Sequence, residues 1–160
     1  MILDLREFDR PAGHISGEES VRIDDPMSNE VTVPCRIDLD YRQASGTFHF
    51  HGVVEGTIST VCQRCLEPAS ERVHGEFDLM VRRDEHGGEG GDDVVILAQH
   101  EHTVDLEPRI REAVVLNVPM VIVCAESCRG LCPACGVNLN RETCACSQDA
   151  DPRWDALRRK

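Results

Sequence analysis

Eight of the nine cysteines in this 160-residue chain fall into four close pairs. They are Cys62 with Cys65, Cys124 with Cys128, Cys132 with Cys135, and Cys144 with Cys146. Four pairs supply two tetrahedral sets of thiolates, the donor complement of two structural zinc ions. A four-cysteine site closes the coordination sphere, so it fixes backbone and leaves no position open for a substrate. The pairs therefore predict a scaffold stapled by one or two Zn2+ ions, not a metalloenzyme.

The local spacing suggests how the pairs combine. In Cys132-Pro133-Ala134-Cys135-Gly136 a tight turn brings both thiolates to one ion, and glycine after the second cysteine allows the left-handed conformation such a turn often needs. Cys144-Ala145-Cys146 follows eight residues later, so Cys132, Cys135, Cys144 and Cys146 are expected to form one site. Cys62, Cys65, Cys124 and Cys128 are expected to form the second, pinning the final module to the rest of the chain. A partition that sends Cys128 to the downstream site stays open at this level.

Other chemistries fit less well. A thioredoxin-like CxxC opens a helix after a strand, whereas Cys62 and Cys65 precede Pro68 and a further strand-like run. Cys35 lies within an alternating segment and reads as a buried core thiol. His49 with His51, and His100 with His102, each share one strand face and read as polar-face residues, not ligands. No Gly-rich phosphate loop, GxSxG elbow or HExxH helix occurs, and no catalytic constellation is visible, so the reading is non-enzymatic.

Aromatic residues make up only 4% of the chain, so Val, Ile, Leu and Ala must build the core, and metal stapling gains weight. The first ten residues are charged and lack the apolar stretch of a signal peptide. The longest apolar run, Val114 to Val123, is broken by Asn117 and Pro119 and is too short to span a bilayer. Paired cysteines in such a chain favour metal over disulfides and a cytoplasmic location. The net charge is -12, but residues 124–160 hold six Lys/Arg against five Asp/Glu, so the acidity belongs to residues 1–123. An acidic surface repels bare nucleic acid and suits a basic partner.

Hydrophobic periodicity predicts an α+β fold: a twisted antiparallel sheet with one packed helix and a C-terminal cysteine-rich zinc module. Residues 1–30 show no clear period and are expected to form an irregular entry segment. Residues 31–118 should be the sheet and helix domain. Val31, Val33, Ile37, Leu39 and Tyr41 alternate as in a half-buried strand, and Ala44-Ser45-Gly46 reads as a turn. Thr47 to Val61 reads as a second long strand, with Gly52 and Gly56 suggesting bulges or bends. Glu71 to Arg83 is a third, with Val73, Phe77, Leu79 and Val81 inward. Asp84 to Asp93 is a Gly- and acid-rich loop before strand character resumes at Val94. A helix over 105–118 follows, with Asp105 as N-cap and Leu106, Ile110, Ala113, Val114 and Asn117 on one face. Residues 119–160 should be the zinc-binding module, ending in a short helix from Asp151-Pro152 that carries Trp154 and Leu157 inward.

Four stretches together resemble one family. They are Cys62-Gln63-Arg64-Cys65-Leu66-Glu67-Pro68, then Val104-Asp105-Leu106-Glu107-Pro108 with Ile110-Arg111-Glu112, then Cys128 through Asn140, and finally Asp151-Pro152-Arg153-Trp154. In this order they resemble the YceD family of large ribosomal RNA subunit accumulation proteins. The resemblance covers roughly residues 50 to 160 and implies a role in large-subunit ribosomal RNA accumulation and subunit assembly in bacteria. With the charge, it makes a basic large-subunit ribosomal protein or a pre-ribosomal particle the expected partner. Two rivals follow from the same residues. One is a redox-regulated zinc chaperone. The other is a direct RNA-binding module using Arg141, Arg153, Arg158, Arg159 and Lys160.

Overall fold

The computed structural model describes residues 1–25, 29–88 and 90–146. The expected final helix at Asp151-Pro152, with Trp154 and Leu157, lies outside the described residues. Strand β1 (Ile2–Asp4) leads into a single 3-10 turn (Leu5–Glu7). Then come β2 (Ala12–Asp25), β3 (Asn29–Ala44), β4 (Thr47–Val61), β5 (Pro68–Asp84), β6 (Val94–Ala98), β7 (Thr103–Asp105) and helix α1 (Glu107–Asn117). Strands β2 to β6 form one sheet in sequence order, and β1 pairs with β7 in a two-stranded ribbon. The result is the expected α+β arrangement of a twisted sheet, one packed helix and cysteine clusters towards the C-terminus.

The inward residues follow the period of two. Val33, Ile37 and Leu39 on β3, Phe50, Val54 and Ile58 on β4, and Val73, Leu79 and Val81 on β5 are all buried. Ser45 and Gly46 both have positive φ, 51 and 79, which is the two-residue hairpin turn that matches strand twist. The scarce aromatics are concentrated: the Phe8 ring stands edge-on to Tyr41 at 4.6 Å and also meets Phe48 and Phe50.

Three expectations about the sheet need correction. The first thirty residues are not an irregular segment throughout, because Ala12–Asp25 form β2, which pairs antiparallel with β3 from Ala12↔Arg42 onward. Gly52 and Gly56 are not bulges, because the β4–β5 register runs through both without interruption, and the β3–β4 register runs through Gly52 and ends at Gly56. Gly52 instead makes room for a ring: a Cβ there would lie 2.4 Å from Phe77. Finally, the sheet is mixed. Residues 85–93 carry the chain back so that β6 runs parallel to β5, Met80 facing Val94 and Asp84 facing Ala98.

The sheet forks. The β3–β4 ladder stops at Cys35↔Gly56, while β2–β3 and β4–β5 continue beyond it. Pro34 marks the fork, where its missing N–H no longer costs a ladder bond. Helix α1 packs on the inner face against β5, β2 and β4. Leu106, Ile110, Ala113 and Val114 are buried as expected, but the N-cap position is Leu106 and not Asp105, which stands one residue earlier and accepts from the Glu107 amide at 2.9 Å. Gly75 lets the helix lie close, since a Cβ there would fall 2.5 Å from the Ala113 carbonyl oxygen. Asn117 is exposed, but its amide returns to the Ala113 oxygen at 2.9 Å.

Candidate metal centres

The tip of the β4–β5 hairpin is the turn from Cys62 to Glu67. The Cys62 N–H donates to the Glu67 oxygen at 2.7 Å, and the Leu66 N–H to the Cys62 oxygen at 2.9 Å. The same pair of bonds recurs downstream: Cys132 N–H to Val137 oxygen at 2.8 Å, and Gly136 N–H to Cys132 oxygen at 2.8 Å. Both turns place the residue after the second cysteine in the left-handed region, Leu66 at φ 61 and Gly136 at φ 74. The two CxxC segments are thus the same knuckle built twice. Gly136 announces its turn in the sequence. Leu66 does not, and only its CxxC spacing points to the strained conformation.

The structure brings Cys62, Cys65, Cys124 and Cys128 together, and Cys132, Cys135, Cys144 and Cys146 together. Within each set all sulfurs lie within 4.8 Å of one another. A tetrahedral ion with metal–sulfur bonds of about 2.3 Å sets sulfur–sulfur edges of roughly 3.8 Å. Cys62 Sγ to Cys128 Sγ is 3.8 Å and Cys65 Sγ to Cys124 Sγ is 3.5 Å. Both clusters could hold a metal ion. Cys35 stays outside them, buried in the sheet, with burial raising its thiol pKa. Among the described residues no histidine joins a cluster. His51 lies on the outer sheet face against Asp78 at 3.0 Å, and His102 meets Arg83 at 3.1 Å.

Backbone amides polarise the sulfurs unevenly. Burial pushes the Cys62 thiol up, but the amides of Cys124, Arg64 and Cys65 outweigh it and bring it down to about 6. The amides of Cys135 and Ala134 likewise hold Cys132 at about 6. Cys124 is pushed up to about 12, first by hydrogen bonding with Cys65 and Cys128. Cys146 is pushed up to about 12 by Cys135. Against burial, hydrogen bonds also lower Cys128, while Cys65 and Cys144 are raised, so each cluster mixes sulfurs disposed to ionise with sulfurs that resist, because four thiolates this close repel one another unless a cation neutralises them. The donor set fits a divalent ion that prefers sulfur.

The clusters are stitched to each other and to the hairpin tip. The Arg64 guanidinium binds the carbonyls of Glu126 at 3.3 Å and Cys128 at 3.1 Å. It acts as a strap, and not as an activator of a redox thiol. The Leu131 N–H donates to the Arg64 oxygen at 3.0 Å. Glu67 meets Arg141 at 3.0 Å and Asn138 at 3.4 Å. Asn140 accepts from the Arg129 amide at 2.7 Å while its own NH2 donates to Cys128 Sγ at 3.4 Å. A residue between the knuckles of the second cluster thus supports a ligand candidate of the first. Sequence reading placed Asn138 and Asn140 only within the family-like stretch and gave them no role, because that role depends on the fold-back.

The family model described as large ribosomal RNA subunit accumulation protein YceD matches residues 50–159. An uncharacterised protein of Mycobacterium tuberculosis is 38% identical over 127 residues, covering 76% of this chain and 60% of that protein. A Zea mays protein named large ribosomal RNA subunit accumulation protein YCED homolog 1, chloroplastic, is 25% identical over 151 residues, covering 76% of this chain and 52% of its own length. Its Arabidopsis thaliana namesake is 23% identical over 143 residues, covering 72% and 44%. The chain thus spans 44% to 60% of the length of these relatives. No solved structure matches it.

Proposed function

This chain belongs to the YceD family of large ribosomal RNA subunit accumulation proteins, and we propose that it is a non-enzymatic, zinc-braced factor for large-subunit assembly. In this reading Cys62, Cys65, Cys124 and Cys128 hold one Zn2+, and Cys132, Cys135, Cys144 and Cys146 hold another. The ions fix residues 119–146 against the hairpin tip and supply no chemistry beyond that hold. The observation that carries the reading is that eight sulfurs form two closed sets at the end of an acidic sheet domain. Closed sets favour a scaffold, and the acidity favours a basic partner over a polyanion.

The proposed partner is a basic large-subunit ribosomal protein, held in the cytoplasm before it meets RNA or on an early particle. The outer sheet face offers Asp38, Asp40, Glu55, Glu76 and Asp78, interleaved with His14, His51 and His74. Long-range attraction from such a surface speeds encounter and weakens with salt, because charges are screened beyond a Debye length of roughly 8 Å. Of the basic residues a direct RNA role would use, Arg141 is engaged with Glu67, and Arg153, Arg158, Arg159 and Lys160 lie outside the described residues. Side-by-side titration of the metal-loaded protein with purified basic large-subunit proteins and with naked large-subunit RNA, at two salt concentrations, tests the reading. Salt-sensitive binding to a protein is expected. Binding to naked RNA alone would refute it.

One observation favours a second reading. Cys124, Cys135 and Cys146 are exposed, so oxidants can reach both clusters. A redox-regulated chaperone would release zinc under mild peroxide and gain the ability to suppress aggregation of an unfolded client.

A further inference from the structure

Helix α1 is apolar on two sides. Ile110, Ala113 and Val114 face the sheet, while Val115 and Leu116 face solvent at 47% and 75% exposure. The chain then continues through Val118 and Pro119 to Met120 and Val121, exposed at 95% and 59%. Next comes Ile122, buried at 3%, whose carbonyl accepts the Gln63 N–H of the hairpin knuckle at 3.0 Å. Four large apolar side chains are therefore displayed along seven residues strung between the helix and Cys124. Beside them runs a groove of about 510 Å3, whose walls include Ile23, Ile58, Pro108 and Val118, with Asp24, Glu112 and Arg111 among its polar residues.

We propose that this ledge, Val115, Leu116, Met120 and Val121 with its adjoining groove, is the docking site for an apolar anchor on a basic partner protein. Scattered exposed apolar residues need no explanation, but Val115 and Met120 line one groove edged by Asp24, Arg111 and Glu112, and exposed Leu116 and Val121 adjoin them in sequence, which marks an interaction surface. Polyanionic RNA offers no complement to four aliphatic side chains. A second copy of this chain brings another net charge of -12, so self-association through the ledge works against like charge. A partner with an apolar anchor and cationic flanks satisfies both features, burying the ledge while its flanks meet the acidic domain. The first cysteine cluster holds the ledge in place, because Ile122 is tied to the knuckle two residues before Cys124. The inference rests on the proposed protein-binding role and adds its contact surface.

Photo-crosslinking in growing cells, with a photoreactive residue at position 120 or, separately, at position 76 on the outer sheet face, tests it. Adducts at 120 with a basic protein, lost on Leu116→Glu in a variant of unchanged circular dichroism and metal content, are expected. A basic ribosomal protein in that adduct supports both the ledge and the assembly role. A basic non-ribosomal protein supports the ledge and overturns the assembly role. Ribosomal protein adducts confined to position 76 overturn the ledge and leave the assembly role standing. Adducts at 120 with RNA or with a second copy of this chain, or none at 120, overturn the ledge.

Discussion

Val114 and Val115 are sequence neighbours with opposite surroundings, and substituting each tests how α1 sits. Val114 has 0% exposure and packs within the core, while Val115 belongs to the solvent-facing ledge. Val114→Ala removes two buried carbons, about 1.6 kcal/mol at roughly 0.8 kcal/mol per methylene. It leaves a cavity of about 50 Å3, worth a further ~1.2 kcal/mol at roughly 24 cal/mol per Å3. The Gly75 contact keeps the helix from sliding to fill that space, so a total of about 2–3 kcal/mol is expected. With a urea slope of about 2 kcal/mol/M, the midpoint should fall by roughly 1–1.5 M. Val115→Asp should stay within about 0.5 kcal/mol of the parent. Urea denaturation at one fixed free-zinc concentration is the assay, because bound metal adds its own linkage to stability. A Val115→Asp cost matching that of Val114→Ala would refute the placement of α1. Val114→Asp should be harsher than either, since it buries an unpaired charge.

Other expectations follow from the clusters. Asn140→Asp keeps the acceptor for the Arg129 amide but replaces the donor to Cys128 with a negative charge, so one of two steps in a Co2+ titration of the thiolate bands should weaken about 10–100-fold. An unchanged titration would remove Asn140 from the metal account. Gly136→Ala should destabilise by about 1 kcal/mol, because it forces a side chain into the conformation held at φ 74, whereas Leu66→Gly should not, as Leu66 already bears that strain. Thermal melts of the two variants compare them directly. Metal retention should fall as pH drops, because protons compete with the metal for every thiolate, and the fall should steepen below about 6, where Cys62 and Cys132 are protonated too. A zinc-release titration with a chromogenic chelator reads this, and retention that rose on acidification would contradict it.

Strands β3, β4 and β5 were legible because each has one buried face and therefore a clean period of two. Helix α1 was legible through Ile110, Ala113 and Val114. Strand β2 was not, because Gly13 and Gly17 occupy inward positions and leave only Val21 and Ile23 as large buried residues. The Tyr41 ring lies over Gly13, so a side chain from the next strand fills what β2 leaves empty. Parallel pairing of β6 was hidden because the return through residues 85–93 decides strand direction, and Val94 to Leu97 reads the same either way. The grouping of eight cysteines follows from spacing only in part. Cys132 and Cys135 lie close to Cys144 and Cys146 in sequence. Cys62 and Cys128 meet only because a long hairpin and the chain after α1 end at the same place. The ledge at Met120 was visible only as an apolar run, since nothing local says which of its residues face water.

Native mass spectrometry of the full chain, purified under reducing conditions without added metal, tests the central claim most directly. Two zinc ions per chain are expected, with all nine cysteines unoxidised, and stripping the ions should move the whole chain to higher charge states as its metal-braced part unfolds. A natively folded protein with no bound metal and intact thiols, or one whose mass shows disulfides in place of metal, would contradict the account.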